Sequence, residues 1–191
     1  MFKSTIIYSL GYFLTKSIGL FLIPVYTKYF TTKEYGVLAL LNILLQIISY
    51  IALLGISSAA MKKYHDKNND SDHKQKLYGN AVLVLLFISP LLIFIISPII
   101  YILSEKFLKS IEFFPFVFLI IFISIFSTIQ KLFLGLLRIK NKPKQFIRFN
   151  FAFFLTQLIV IIILVVFLKK GLIGQVFAQL FTNIVFFFIS L

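Results

Sequence analysis

Residues 113–136 read FFPFVFLIIFISIFSTIQKLFLGL, a run of 24 with a single charge, Lys131. About 20 apolar residues suffice for a helix to cross a bilayer. The run has no polar/apolar alternation, so it does not read as a lumen-facing and lipid-facing barrel strand, and lipid leaves a lone segment no backbone partner but its own helix. Working outward, charge becomes sparse in five more stretches, 5–26, 37–57, 80–103, 150–168 and 172–191, which with 113–136 run from 19 to 24 residues each. The expectation is an all-α, polytopic membrane bundle of six transmembrane helices.

Composition agrees. Of 191 residues 60% are hydrophobic, 13% charged and 34 aromatic (25 Phe, 9 Tyr). A soluble domain is about 25% charged, so this chain lacks the polar groups to cover a globular surface, and a water-soluble enzyme is excluded. The connections leave no room for a soluble catalytic domain. With no Cys, disulfides, Cys-based metal sites, a thiol nucleophile and lipid attachment through sulfur are excluded. The net charge of +13 sits mostly in short connections rather than on a solvated patch, so nucleic acid is not an expected partner. Met1, Phe2 and Lys3 imitate the start of a signal peptide, but Lys16 interrupts the apolar run and no small-residue cleavage site follows; it reads as a retained first span. The last span stops at Leu191 without a polar flank, which reads as the N-terminal part of a longer protein.

Basic residues set the expected orientation. The N-terminus and the connections 58–79 and 138–148 carry Lys3, Lys62, Lys63, Lys67, Lys74, Lys76, Arg138, Lys140, Lys142, Lys144 and Arg148. The opposite side carries Lys28, Lys33, Lys106, Lys109, Lys169 and Lys170. The positive-inside rule puts the N-terminus and both basic connections in the cytoplasm, with 138–148 expected against the anionic membrane lipids of that leaflet.

Lys16 is the strongest single signal. It is the twelfth residue of 5–26, near mid-bilayer, where a charge costs roughly 3 kcal/mol and its stem does not reach either interface. It therefore either faces a polar interior or bonds to carbonyls of a neighbouring helix. Ser9, Tyr12, Lys16 and Gly19 share one helical face. Other spans carry stripes at the same spacing: Asn42, Gln46 and Ser49; Ser124, Ser127, Thr128 and Lys131; Gln175, Gln179 and Thr182. Each stripe alone fits cavity lining or interhelical hydrogen bonding. Together they describe a bundle around a hydrophilic core, with Lys16, Tyr12, Ser9, Asn42, Gln46, Lys131, Gln175 and Gln179 as its candidate lining. Lys131 has a second reading, snorkelling past Leu136. Pro90 and Pro98 are expected to bend their span, whereas Pro115 falls in a first turn where a missing N–H does little harm.

All six acidic residues (Glu34, Asp66, Asp70, Asp72, Glu105, Glu112) fall in connections on this reading, so no carboxylate in the spans is expected to bind a proton or sodium ion. An interior field set by Lys favours anionic cargo. The loop His65, Asp66, Asp70, Ser71, Asp72, His73 superficially suggests a metal site, but its spacing is unspecific; a solvated loop, with no metal and no cofactor, is the expectation.

The stretch 21–36, FLIPVYTKYFTTKEYG, followed by 54–64, LGISSAAMKKY, resembles the start of polysaccharide transporters of the Wzx flippase type, within the multidrug/oligosaccharidyl-lipid/polysaccharide exporter superfamily. Gly135-Leu-Leu-Arg138 before a basic loop and Gly171-Leu-Ile-Gly174 at the start of the sixth span are similar too. The resemblance covers the whole chain as the N-terminal lobe of a two-lobe protein. It implies transport of undecaprenyl-diphosphate-linked oligosaccharide across the cytoplasmic membrane by alternating access in surface polysaccharide biosynthesis, with glycosyltransferases and a polymerase of the same pathway as partners. Alternatives are another exporter of the superfamily (a lipid II-type flippase or a drug exporter), a membrane-embedded sugar or acyl transferase, or a non-transporting assembly subunit.

Overall fold

The structure, a computed structural model, describes residues 2–53, 55–56, 58–59, 62, 71–107 and 113–190, without the side chains at 2–5, 14–16, 71–75, 77–78, 93, 96, 99–107 and 113–114. Among the described residues there are six long helices and no strand. They are α1 (Phe2–Tyr29), α2 (Thr32–Leu53), α3 (Ser71–Phe107), α4 (Phe118–Ile139), α5 (Pro143–Ile161) and α6 (Gly171–Ser190). A π-helical turn, Phe113–Val117, leads into α4, and another, Ile162–Phe167, extends α5. Five helices contain stretches long and apolar enough to cross a membrane; α3 contains a shorter described apolar segment, Gly79–Leu92.

Every helix follows one of the apolar runs, but several begin or end beyond it, for local reasons. Helix α2 starts at Thr32 rather than at Val37 because Thr31 and Glu34 cap it reciprocally. The Thr31 backbone N–H donates to Glu34 Oε2 at 2.8 Å, and the Glu34 N–H donates to Thr31 Oγ1 at 3.3 Å. This is a capping box, worth more here than the polarity of Lys33 and Glu34 costs. The connection expected over 138–148 is largely helical. Only a short turn separates α4 from α5, closed by Lys142 N–H donating to Leu137 O (2.9 Å) and Asn141 N–H to Arg138 O (3.1 Å). Asn141 takes the left-handed conformation (φ 50) that ends a helix in this motif, and Pro143 restarts one at its first position. In the same way residues 71–79, expected as solvated loop, form the first turns of α3. These extensions place Glu34, Asp72 and Glu105 inside helices, a correction to the reading that all acids lie in connections, although each sits near a helix end.

Helix α3 runs through Pro90 and Pro98. The carbonyl that Pro98 leaves without a backbone donor, that of Phe94, accepts from Ser97 Oγ at 2.9 Å. Pro115 lies in the π turn that opens the fourth span, where the helix continues without interruption into α4.

Packing runs around the bundle from α1 to α5, α5 to α6, α6 to α4, and α4 to both α2 and α3. Phe146 of α5, fully buried, fills the seam against α1, with Tyr8 and Tyr12 edge-on at 5.1 and 5.3 Å and Gly11 leaving room for its ring. Leu22, Leu41, Ile120, Ile161 and Val176 bring five helices into one core, and a smaller cluster of Ala81, Val82, Leu85, Ile129, Leu132 and Phe187 seats α3. Outside, Phe13, Phe87, Phe94 and Phe167 project from the bundle, each more than 60% exposed, as suits a surface solvated by lipid tails.

Candidate functional site

Helices α1 and α2 are joined by the short segment at Phe30 and Thr31, yet their lengths pack on different partners, α1 on α5 and α2 on α4. Between them lies a cleft with two adjoining parts. One, of about 560 Å³, runs beside Gly19, Tyr26, Tyr35, Gln175 and Phe153. The other, of about 310 Å³, runs beside Tyr12, Ser49, Ser127, Lys131, Asn150 and Asn183. Asn42, Gln46, Gln157 and Gln179 line both, so the two parts are continuous.

Carboxamides dominate its walls, and many are tied across helices. Gln179 Nε2 donates to Asn42 Oδ1 at 3.1 Å, linking α6 to α2, and Gln130 Nε2 donates to the Asn183 carbonyl at 2.8 Å, linking α4 to α6. Ser49 Oγ and Ser127 Oγ share a hydrogen bond at 3.0 Å between α2 and α4. Asn150 and Asn183 each turn an amide N–H to the carbonyl one turn back, at 2.8 Å. Two buried acceptors in the cleft wall, Gln175 Oε1 and Gln179 Oε1, have no partner. Positive charge enters from α4: Lys131 Nζ lies 4.7 Å from the centroid of the Tyr50 ring, and Arg138 Cζ 5.4 Å from that of Tyr12. A cation held over an aromatic face is partly compensated for lost water.

The structure brings together Tyr12, Asn42, Gln46, Lys131, Gln175 and Gln179 of the expected lining. Ser9 is exposed and does not line the cleft, although it shares a sequence spacing with Tyr12. The side chain of Lys16 lies outside the described residues; Gly19, on the same face of α1, does line the cleft. Ser124, Thr128 and Thr182 are fully buried and each donates to a carbonyl of its own helix, at 2.6, 2.7 and 2.8 Å, so these members of the polar stripes are packed rather than cavity-lining. Lys131 lines the cleft beside Tyr50. Sequence reading missed Gln130, Asn150, Gln157 and Asn183. Asn150 and Gln157 are two helical turns apart, a spacing that would have found them; nothing in the sequence pairs Gln130 with Asn183.

Of the acid and histidine loop, Ser71 and Asp72 lie in α3 by backbone, while residues 65–70 and the side chains of Asp72 and His73 lie outside the described residues. Among the described residues no three His, Cys, Asp or Glu side chains come together.

Fold and cleft together define a multi-pass helical membrane protein, lipid-facing outside and lined inside by amides and a lysine. The chain belongs to the polysaccharide biosynthesis protein family, Wzx-like, whose model matches residues 1–191. Members of this family are typically transporters rather than enzymes, and the family implies a lipid-linked sugar substrate. No curated protein and no solved structure matches the chain.

Proposed function

We propose that the protein carries undecaprenyl-diphosphate-linked oligosaccharide from the cytoplasmic to the outer leaflet of the cytoplasmic membrane, by alternating access, in surface polysaccharide biosynthesis. The observation that carries this reading is the cleft between α1 and α2, rich in carboxamides and holding Lys131. Carboxamides offer donors and acceptors to sugar hydroxyls, a cation favours the diphosphate, and an apolar exterior lets the polyprenyl tail stay in lipid. Lys16, near the middle of its span, is the second cation in this scheme. In the same reading all six helices span, the N-terminus is cytoplasmic, and the chain acts as the N-terminal lobe, with a second lobe closing the cleft from the α1 and α2 side.

In cells, loss of the gene should remove surface polysaccharide and accumulate lipid-linked repeat units accessible only from the cytoplasmic side. Unaltered surface polysaccharide would overturn the reading.

A further inference from the structure

The two parts of the cleft differ in their described side chains. Among these, the smaller part holds Lys131, whereas the larger has no ionisable group on its walls except the phenols of Tyr26 and Tyr35. The larger part also holds the unpaired acceptors. Gln175 and Gln179 stand one turn apart on α6, 1% and 7% exposed, each with an oxygen that receives no hydrogen bond. Leaving a buried acceptor unmade is costly, and native structures rarely retain two such groups side by side without a ligand, an ion or water to satisfy them. Tyr35 of α2 and Phe153 of α5 line the same part, aromatic surfaces of the kind on which the apolar face of a sugar ring rests, while Tyr26 of α1 is buried against Phe30 and turns its hydroxyl to Gln175. The volume, about 560 Å³, is within the usual size of small-ligand sites.

We propose that the larger part is a saccharide subsite in which Gln175, and Gln179 at the border of the two parts, accept hydrogen bonds from hydroxyl or N–H donors of the oligosaccharide, while the Lys131 part takes the diphosphate. This rests on the transport reading above and adds a division of labour to it: Gln175 and Gln179 determine which sugar is carried, and Lys131 answers to any polyprenyl diphosphate. A site built around acceptors rejects a ligand that lacks the matching donor, because the acceptors then stay unpaired.

The test is binding by the purified protein in nanodiscs, with two probes: the undecaprenyl-diphosphate oligosaccharide extracted from the cells of origin, and undecaprenyl diphosphate without sugar. Gln175→Leu should raise Kd for the sugar-bearing lipid roughly tenfold and leave Kd for the sugar-free lipid within about twofold, as expected for losing one well-made hydrogen bond to a ligand; Gln179→Leu, at the border of the two parts, should raise Kd for the sugar-bearing lipid by at least as much. Lys131→Gln should weaken both lipids alike. Gln175→Leu is the cleaner of the two, because Gln179 also holds Asn42 across to α2; melting temperatures are measured beside binding, since Gln175 also meets the Tyr26 hydroxyl. Equal losses for the two lipids, or no loss for either, would overturn the subsite. If the wild-type protein binds neither lipid, the transport reading itself fails, which is a different result.

Discussion

The packed interior of α4 and α6 and the cleft between α1 and α2 both carry polar stripes at the same helical spacing, and the two behave oppositely. In the interior, Ser124, Thr128 and Thr182 satisfy themselves on carbonyls three or four residues back and are sealed from any solvent. In the cleft, Asn42, Gln46, Gln157, Gln175 and Gln179 form the wall, and two of them keep a buried oxygen with no partner. The difference lies in side-chain reach and inventory. A hydroxyl's one donor finds its own helix, whereas a carboxamide has two donors and a carbonyl oxygen, more than its own backbone absorbs. Ser49 and Ser127, which reach the cleft, do so by pairing with each other across α2 and α4, whereas the carboxamides bring donors and acceptors beyond what one helix absorbs.

The largest effect that tests this comparison falls on Lys16, which our proposal assigns to the cleft from its mid-span position in the sequence and its spacing from Tyr12 and Gly19. Lys16→Ala should abolish surface polysaccharide with membrane abundance nearly unchanged, since removing a charge that costs roughly 3 kcal/mol in lipid does not hinder insertion. Lys16→Arg should keep part of the activity. Full polysaccharide with Lys16→Ala would put this residue with the packed group. Next comes Lys131→Ala, for which transport measured in reconstituted vesicles should fall roughly tenfold or more, the scale of losing a hydrogen bond to a charged ligand.

A smaller effect compares two glycines of α1, one in a seam and one at the cleft. A Cβ on Gly11 would meet the Phe146 ring at 2.7 Å, whereas a Cβ on Gly19 would meet nothing within 4 Å. Gly11→Val should destabilise the protein by about 1 to 3 kcal/mol through overpacking. Gly19→Ala should leave the melting temperature unchanged or raise it, by up to about 1 kcal/mol of helix propensity. Similar losses at both positions would mean that α1 is packed along its whole length and that the cleft does not reach Gly19.

Much of the fold was legible because each helix follows an apolar run. Its boundaries were less so. Thr31 to Glu34 and Lys140 to Arg148 read as connections by charge, but a capping box and an Asn-then-Pro turn carry helix into both. Local hydrogen bonds decide helix ends, and charge is a weaker guide there than it is in mid-span. For the site, Tyr12, Asn42, Gln46, Lys131, Gln175 and Gln179 were legible as periodic stripes, and the structure shows that they meet. Ser9 shows the limit of that reasoning, because periodicity gives a face but not which neighbour covers it. Gln130 and Asn183 show the other limit, since a bond between α4 and α6 depends on their relative height, which no single-span pattern encodes.

The smallest expected effect is the one that holds the comparison together. Thr128 is fully buried, and its hydroxyl donates to the Ser124 carbonyl at 2.7 Å. Thr128→Val keeps the β-branched shape and removes that bond. The carbonyl still accepts from Ser127 Oγ at 3.0 Å, so no acceptor is orphaned. Nothing in the cleft moves, because Thr128 does not line it. Stability should change by less than about 0.6 kcal/mol, the average of hydrogen bonds between membrane helices, and transport should remain within about twofold of wild type. Thr182→Val, with the corresponding bond to Ala178 at 2.8 Å, should behave the same way. A loss of transport at unchanged stability in either variant would show that the packed stripe takes part in handling substrate, and the division by side-chain reach would fail.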